Sequence, residues 1–142
     1  MEPEHLDEVL SIDRSFSLNP WSEEMFIEEL RNPFAHCFIH KGEGQERDAI
    51  VGFVCFRNLG EESELLNIGV HPLHRRMGIG KKLMQFYVDF SEGMQIKTFY
   101  LEVHSSNPSA IGLYQSFSYH PIGTRKKFYQ GKFDALIMVR KG

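Results

Sequence analysis

The hydrophobic pattern of the chain changes period at two glycines, Gly78 and Gly80, and this change constrains the fold most strongly. Before them lie three short runs rich in β-branched and aromatic residues, at 35–40, 49–56 and 65–70, which are typical of strands. After them, apolar residues recur at helical spacing, which predicts a helix of about three turns over 81–92. The middle of the chain is therefore predicted to form a strand, a loop with two glycines and a helix.

The other segments extend this series of helices and strands. Two amphipathic helices are predicted at the start, one over 5–16 and one that Ser22 caps and Asn32-Pro33 ends. A strand follows at 98–103, then a helix with Asn107 as its N-cap, then two strand-like runs at 119–128 and 133–139. The order is ααβββαβαββ, which predicts an α+β fold in a single domain over residues 1–142.

Composition excludes several classes of protein. A chain of 142 residues with 42% hydrophobic and 25% charged residues has the balance of one globular domain, without a disulfide or metal to support its core. Its apolar runs are far shorter than the ~18 residues of a transmembrane helix, and its acidic N-terminus is not a signal peptide. We therefore predict no membrane partner.

Charge, cysteine and histidine content narrow the expectation further. The net charge of −3 predicts no general attraction for nucleic acid. Cys37 and Cys55 lie in strand-like runs outside any C-x-x-C motif, so we interpret them as reduced thiols of a cytoplasmic protein. The closest histidine pairs, at 36/40 and 71/74, lack helical ligand spacing, so no metal site is predicted.

The segment Arg75-Arg76-Met77-Gly78-Ile79-Gly80, hereafter the glycine loop, is the first candidate for chemistry. Free N–H groups at a helix start form an anion site, and Arg75, Arg76 and Lys81 add positive charge. It is neither a Walker A loop nor a Rossmann fingerprint, since Arg75 and Leu83 stand where those motifs require glycine. The alternative is a glycine-rich turn that only starts a helix.

Two further candidates follow the loop. Glu102 lies within an apolar strand, where burial raises the pKa of a carboxylate and suits a general base; the alternative is a solvent-facing Glu at a strand end. Asn107 and Tyr114 are seven residues apart, which places them on one side of a helix. For each residue taken singly there is a structural alternative: Asn107 is a plain N-cap, and Tyr114 is a core aromatic.

Together these segments resemble a known family, the GNAT acetyltransferases. The glycine loop after the strand Asn67–Val70 resembles the family's acyl-CoA-binding motif, R/Q-x-x-G-x-G/A. The run from Leu101 to Tyr114 resembles its second signature, L-E-V-x-x-x-N-x-x-A-x-x-L-Y. The resemblance implies a mixed sheet with a V-shaped splay between the strands Leu65–Val70 and Thr98–Val103.

The resemblance also implies roles for named residues. Glu102 corresponds to the general base and Tyr114 to the general acid, and a backbone N–H near Val70 would stabilise the oxyanion. Acetyl-CoA is the implied cosubstrate, with no metal. The implied coenzyme contacts are Ile68, Val70, Arg75, Arg76, Gly78, Ile79, Gly80, Lys81 and Asn107.

The acceptor is implied by a third segment. A segment that includes Trp21, Pro20-Trp21-Ser22-x-x-x-Phe26, resembles a segment found in certain family members. Those members acetylate the N-terminal alanine of a ribosomal protein. We therefore expect an N-terminal peptide as partner, with Trp21 and Tyr129 as substrate contacts. The alternatives are a small amine or lysine acceptor, a non-catalytic acyl-CoA sensor, and a purely core-covering role for the two aromatics. One departure is Ser118 in place of the family's glycine after the Tyr114 helix, so the turn there must form without glycine.

Overall fold

The computed structural model of the protein describes residues 1–17, 20–75, 77–129 and 133–142, with the backbone only for 16, 46 and 127–129. In that part of the chain the helices are α1 (Leu6–Phe16), α2 (Glu23–Arg31), α3 (Ile79–Gly93) and α4 (Pro108–Ser116). The strands are β1 (Ala35–Lys41), β2 (Ile50–Leu59), β3 (Glu62–Val70), β4 (Thr98–His104), β5 (His120–Tyr129) and β6 (Phe133–Lys141). Short 3₁₀ helices lie at Pro3–His5, Gly44–Glu46 and Pro72–His74. The predicted order ααβββαβαββ is confirmed.

Local signals set the starts of these helices. Ser22 caps α2, since its side chain accepts a hydrogen bond from the N–H of Met25 at 3.2 Å. Asn107 caps α4 in the same way through the N–H of Ala110, also at 3.2 Å. Helix α3 begins two residues earlier than predicted, directly after Gly78, which has a φ of 80°.

The described strands form one mixed sheet in the order β1-β2-β3-β4-β6-β5. The first three strands are the antiparallel meander that the sequence predicts. Strand β4 runs parallel to β3, as a crossover through α3 requires. Strand β6 then inserts between β4 and β5 and is antiparallel to both.

Each face of the sheet is covered by two helices. One face packs against α3 and α4 in a cluster that includes Leu83, Tyr87, Leu101, Val103 and Tyr114. The other packs against α1 and α2 in a cluster that includes Val9, Phe26, Phe53 and Cys55. Because successive side chains of a strand point to opposite faces, the Glu102 side chain lies on the α1/α2 face.

The turn after α4 forms without glycine, as the sequence predicts. Ser118 has a φ of 67°, in the left-handed region that normally favours glycine. Its N–H bonds to the carbonyl of Gln115 at 3.0 Å, and the N–H of Tyr119 bonds to the carbonyl of Tyr114 at 3.2 Å. This Schellman pattern closes the last turn of α4, the turn that carries Tyr114.

The two cysteines face each other across the first hairpin. Cys37 and Cys55 are register partners in the β1/β2 ladder, and both are free thiols. Cys55 is fully buried, whereas Cys37 is only half-buried because β1 is an edge strand. The expectation of reduced thiols agrees with the structure.

Candidate active site

A gap between β3 and β4 forms the centre of the site. The two strands pair over only four residue pairs, from Glu62 opposite Thr98 to Leu65 opposite Leu101. At that point β3 carries a bulge, since Leu65 and Asn67 pair with adjacent residues of β2 and Leu66 is the extra residue. A bulge bends its strand, so β3 continues along β2 while β4 continues along β6. The splay that the family resemblance implies is confirmed.

The glycine loop lies beyond the C-terminal end of β3. Helix α3 begins there, and its first main-chain bond runs from the N–H of Lys82 to the carbonyl of Gly78 at 3.0 Å. The N–H groups of the first turn precede that bond, so no intrahelical carbonyl takes them. A Cβ added to Gly78 would meet nothing within 4 Å, so the loop faces open space.

Of the loop's two arginines, the structure describes one. The Arg75 guanidinium lies 3.5 Å from the Ser15 hydroxyl, which links the loop to the end of α1. Arg76, a predicted coenzyme contact, lies outside the described residues. Lys81 is exposed on the first turn of α3, next to the loop.

The helix that carries Tyr114 reaches the same loop. A Cβ on Gly80 would lie 3.5 Å from a methyl carbon of Leu113, the residue before Tyr114. Tyr114 itself is 7% exposed, and its ring centroid lies 6.0 Å from that of Tyr119. The packing of Tyr114 agrees with its interpretation as a core aromatic. Its role as the general acid stays a prediction.

Glu102 lies at the gap but is not isolated among apolar groups. Its side chain is 27% exposed, and its Oε1 lies 2.8 Å from Nη2 of Arg125. The sequence suggested a buried carboxylate without a stated partner, and the structure instead pairs it with a cation. Glu102 and Tyr114 lie on opposite faces of the sheet, and the opening between β3 and β4 lies next to Glu102.

Asn107 and the two coenzyme-strand residues have structural roles as well. The Oδ1 atom of Asn107 is used by the α4 cap, which leaves Nδ2 as the end that can donate to a ligand. Ile68 and Val70 are half-buried against the α3/α4 cluster on the β3 side of the gap. Their coenzyme contacts stay predictions.

The loop between α1 and α2 is held by a buried carboxylate. Asp13 is 0% exposed, and its Oδ2 accepts the backbone N–H of Trp21 at 2.8 Å. Burial raises the pKa of Asp13, although the hydrogen bond from Trp21 opposes the shift. The Trp21 ring packs 4.9 Å from that of Phe26, so it covers the α1/α2 core. The Tyr129 side chain, the other predicted substrate contact, lies outside the described residues.

Sequence reasoning missed two residues of this site, Asp13 and Arg125. Asp13 lies in a helix and Arg125 in a polar strand, so the sequence alone does not distinguish either from an ordinary exposed charge. The signal available for Asp13 was its place after Ile12, on the apolar face of α1. For Arg125 no local signal exists, because its contact depends on the strand order.

Two further properties concern the described residues as a group. Among them, no three His, Cys, Asp or Glu side chains converge in a way that could hold a metal ion. None of the helices in these same ranges has both the length and the apolar character needed to cross a bilayer.

Comparison with known proteins connects this geometry to a family. The chain matches the acetyltransferase (GNAT) family over residues 6–119. It is 32% identical over 127 residues to the Mycobacterium tuberculosis protein named N-alpha-acetyltransferase RimI, across 86% of this chain and 76% of that protein. It is 29% identical over 142 residues to the ribosomal protein bS18-alanine N-acetyltransferase of Escherichia coli K12, across 98% and 93% of the two chains.

Solved structures agree with the sequence matches. The crystal structure of the E. coli ribosomal-protein-S18-alanine N-acetyltransferase has a TM-score of 0.87 and 28% identity, covering 99% of this chain and 90% of that one. Arabidopsis thaliana NAA60 in complex with acetyl-CoA shares the fold, with a TM-score of 0.85 and 21% identity over 99% and 94% of the chains. The resemblance predicted from the two motifs is thus confirmed, and the chain belongs to the GNAT family of N-acetyltransferases.

Proposed function

We propose that this chain transfers the acetyl group of acetyl-CoA to the N-terminal α-amino group of a protein, in a complex that holds both substrates at once. The proposed acceptor is the N-terminal alanine of a small-subunit ribosomal protein. Two relatives support this acceptor. The one that matches most of the chain is named an N-alpha-acetyltransferase, and the one that matches nearly the full chain is named a ribosomal-protein-alanine N-acetyltransferase.

One observation carries the proposal: the β3/β4 gap opens next to Glu102, in a sheet whose two faces carry this carboxylate and the Tyr114 phenol. Glu102 reaches it from the α1/α2 face, and Tyr114 belongs to the cluster on the α3/α4 face. An acyl-transfer site needs a base for the attacking amine and an acid for the leaving thiolate. A gap through the sheet allows the amine and the thioester to approach from the two sides.

The proposed proton path uses these two groups. Glu102 takes a proton from the acceptor ammonium, directly or through a water, and the free amine attacks the thioester carbonyl. The new bond is the amide C–N bond, the broken bond is C–S, and Tyr114 donates a proton to the departing thiolate. The second proton of the attacking nitrogen leaves as the C–S bond breaks and replaces the proton that Tyr114 gave, and Glu102 releases its proton to solvent. An α-amino group has a pKa near 8, against about 10.4 for lysine, so an N-terminus is the easier acceptor near neutral pH.

The coenzyme side of the site fits a diphosphate. The first-turn N–H groups of α3 and the positive end of its dipole face the open space next to Gly78. Arg75 and Lys81 add exposed positive charge there. These features support binding of acetyl-CoA with its pantetheine arm along Ile68 and Val70.

The acceptor side fits an extended peptide on the α1/α2 face. The Trp21 loop lies there, fixed by Asp13. On the same face, Phe133 at the turn end of the β5/β6 hairpin is 45% exposed and packs on His104, with 4.7 Å between the ring centroids. A peptide held between these elements through its backbone would present its free amine to Glu102.

A substrate panel tests the proposal. Initial rates of CoA release are measured with a short peptide that has a free N-terminal Ala, with the same peptide blocked at that terminus and carrying an internal Lys, and with spermidine. We expect the free-Ala peptide to be preferred strongly. Preference for either other acceptor would refute the N-terminal assignment, and acetyl-CoA binding without turnover on any amine would identify a sensor.

Variants of the two proton-transfer groups test the site. Glu102→Gln should lower turnover by roughly 10²–10⁴-fold, the usual contribution of a positioned acid or base. Tyr114→Phe should lower turnover while leaving acetyl-CoA affinity nearly unchanged. Glu62→Gln and Tyr100→Phe are matched controls, since both residues lie toward the paired end of β3 and β4. Equal rates in the site and control variants would contradict the assignment.

A further inference from the structure

Glu102 has an ion-pair partner that the proposed proton path does not use. Arg125 Nη2 lies 2.8 Å from Glu102 Oε1, although β5 and β4 are not neighbours in the sheet. Strand β6 runs between them, and there Ala135 is the register partner of both Arg125 and His104. Because Ala135 has no side chain beyond Cβ, the long arginine can cross β6 and reach the carboxylate.

The geometry points to Arg125 as the positioning residue of Glu102, which holds the carboxylate at the gap and promotes proton loss from an acceptor ammonium bound there. This inference rests on the proposed function and adds a residue to it. Arg125 acts through Glu102, so it is not itself assigned a contact with either substrate.

The charges explain how Arg125 would act. An ionised carboxylate accepts several hydrogen bonds on its two oxygens, so with Oε1 on Arg125 the acceptor ammonium can bind Oε2. Two positive charges then share one carboxylate. A like charge within about 4–6 Å disfavours the protonated amine, so the loaded site loses its proton at a lower pH. The proton passes through Glu102 to solvent, and the guanidinium exchanges none because it stays protonated.

Among the described strand residues, Arg125 is the cation that contacts the Glu102 carboxylate. On its own strand, Tyr100 and His104 lie two positions away on the same face, and Glu64 of β3 is the partner of Tyr100. The β6 residues on this face next to Glu102 are uncharged, namely Ile137 and Ala135. His104 is buried, with its Nδ1 accepting the N–H of Ser106 at 3.1 Å.

The ion pair is poorly suited to a purely structural role. The Arg125 side chain is 54% exposed and that of Glu102 27%, and pairs at such exposure contribute little to folding. Removing Arg125 should therefore leave a folded enzyme whose kinetics can be measured. Lys126 is the matched control, since it follows Arg125 directly, is 79% exposed, and pairs instead with Asp134 at 3.4 Å.

The test compares Arg125→Met, Arg125→Lys and Lys126→Met with the parent enzyme, using kcat for the free-Ala peptide between pH 6 and 9.5. We expect Arg125→Met to shift the rising limb of kcat upward by about one pH unit, which is about tenfold lower kcat below the limb. The curves should converge at high pH, and Arg125→Lys should restore most of the loss. Lys126→Met should follow the parent curve.

A second comparison separates this inference from the proposed function. In a Glu102→Gln background, Arg125→Met should have no further effect, because the acceptor ammonium then has no carboxylate that it shares with Arg125 and no base that takes its proton. The inference is overturned if Arg125→Met behaves like Lys126→Met, if its loss is equal at every pH, or if the two site substitutions act additively. The proposed function fails separately, if the parent enzyme does not acetylate the free-Ala peptide.

Discussion

Gly78 offers the sharpest test of the proposed coenzyme site. Its φ of 80° places it in the left-handed region, and it is the N-cap of α3. A side chain there is opposed by conformation and not by crowding, because a Cβ would meet nothing within 4 Å. Gly78→Ala therefore perturbs the backbone that aims the first N–H groups of α3.

The magnitude follows from two terms. An L-residue in the left-handed region costs about 1–2 kcal/mol, and the loss of glycine's freedom in the unfolded chain returns about 0.4–1 kcal/mol. The net destabilisation is about 1 kcal/mol, or about 4 °C in Tm for a chain of this size. If the backbone relaxes and one charge-assisted hydrogen bond to the diphosphate is lost, about 1.5–3 kcal/mol of binding goes with it, which weakens acetyl-CoA binding about 10- to 100-fold.

Gly60 provides the matched control. It has a φ of 61°, a Cβ there would also meet nothing within 4 Å, and it lies in the β2/β3 turn away from the loop. Calorimetric titration with acetyl-CoA and thermal unfolding are measured on Gly78→Ala and Gly60→Ala. Both should lose similar stability, and only Gly78→Ala should lose affinity. Equal affinity in the two variants would refute the assignment of the loop as the diphosphate site.

Two other perturbations follow from single residues. Ser118→Gly should raise the free energy of unfolding by about 0.5–1 kcal/mol without changing kcat, because glycine suits the left-handed cap after α4; urea unfolding checks this, and a loss of stability would contradict it. The second concerns Asp13, whose pKa is raised by burial, so its contribution to stability is present below its unfolded pKa and lost as pH rises through its folded pKa. Asp13→Asn keeps an acceptor for the Trp21 N–H, so it should gain stability relative to the parent from pH 4 to pH 7, whereas Asp13→Ala should lose about 1–3 kcal/mol. A stability difference between Asp13→Asn and the parent that is constant over this pH range would contradict the sign.

Much of the fold could be predicted from local sequence. Several features depend only on residues a few positions apart, so they can be predicted from the sequence. They are the strand and helix periods, the caps at Ser22 and Asn107 and the glycine before α3. The same holds for the strained turn at Ser118, which the departure from the family pattern indicated. The family motifs also placed Glu102 and Tyr114 at the site, although their roles stay predictions.

The local pattern determined which residue types stand at the ends of β3 and β4, but only the tertiary structure decided how they meet. The bulge at Leu66 depends on the register with β2, and that register separates β3 from β4. The Arg125–Glu102 pair depends on β6 lying between β4 and β5 and on a small residue at Ala135. The ion pair joins residues more than twenty positions apart, and its energy depends on burial and distance, which the strand order sets and no local pattern contains.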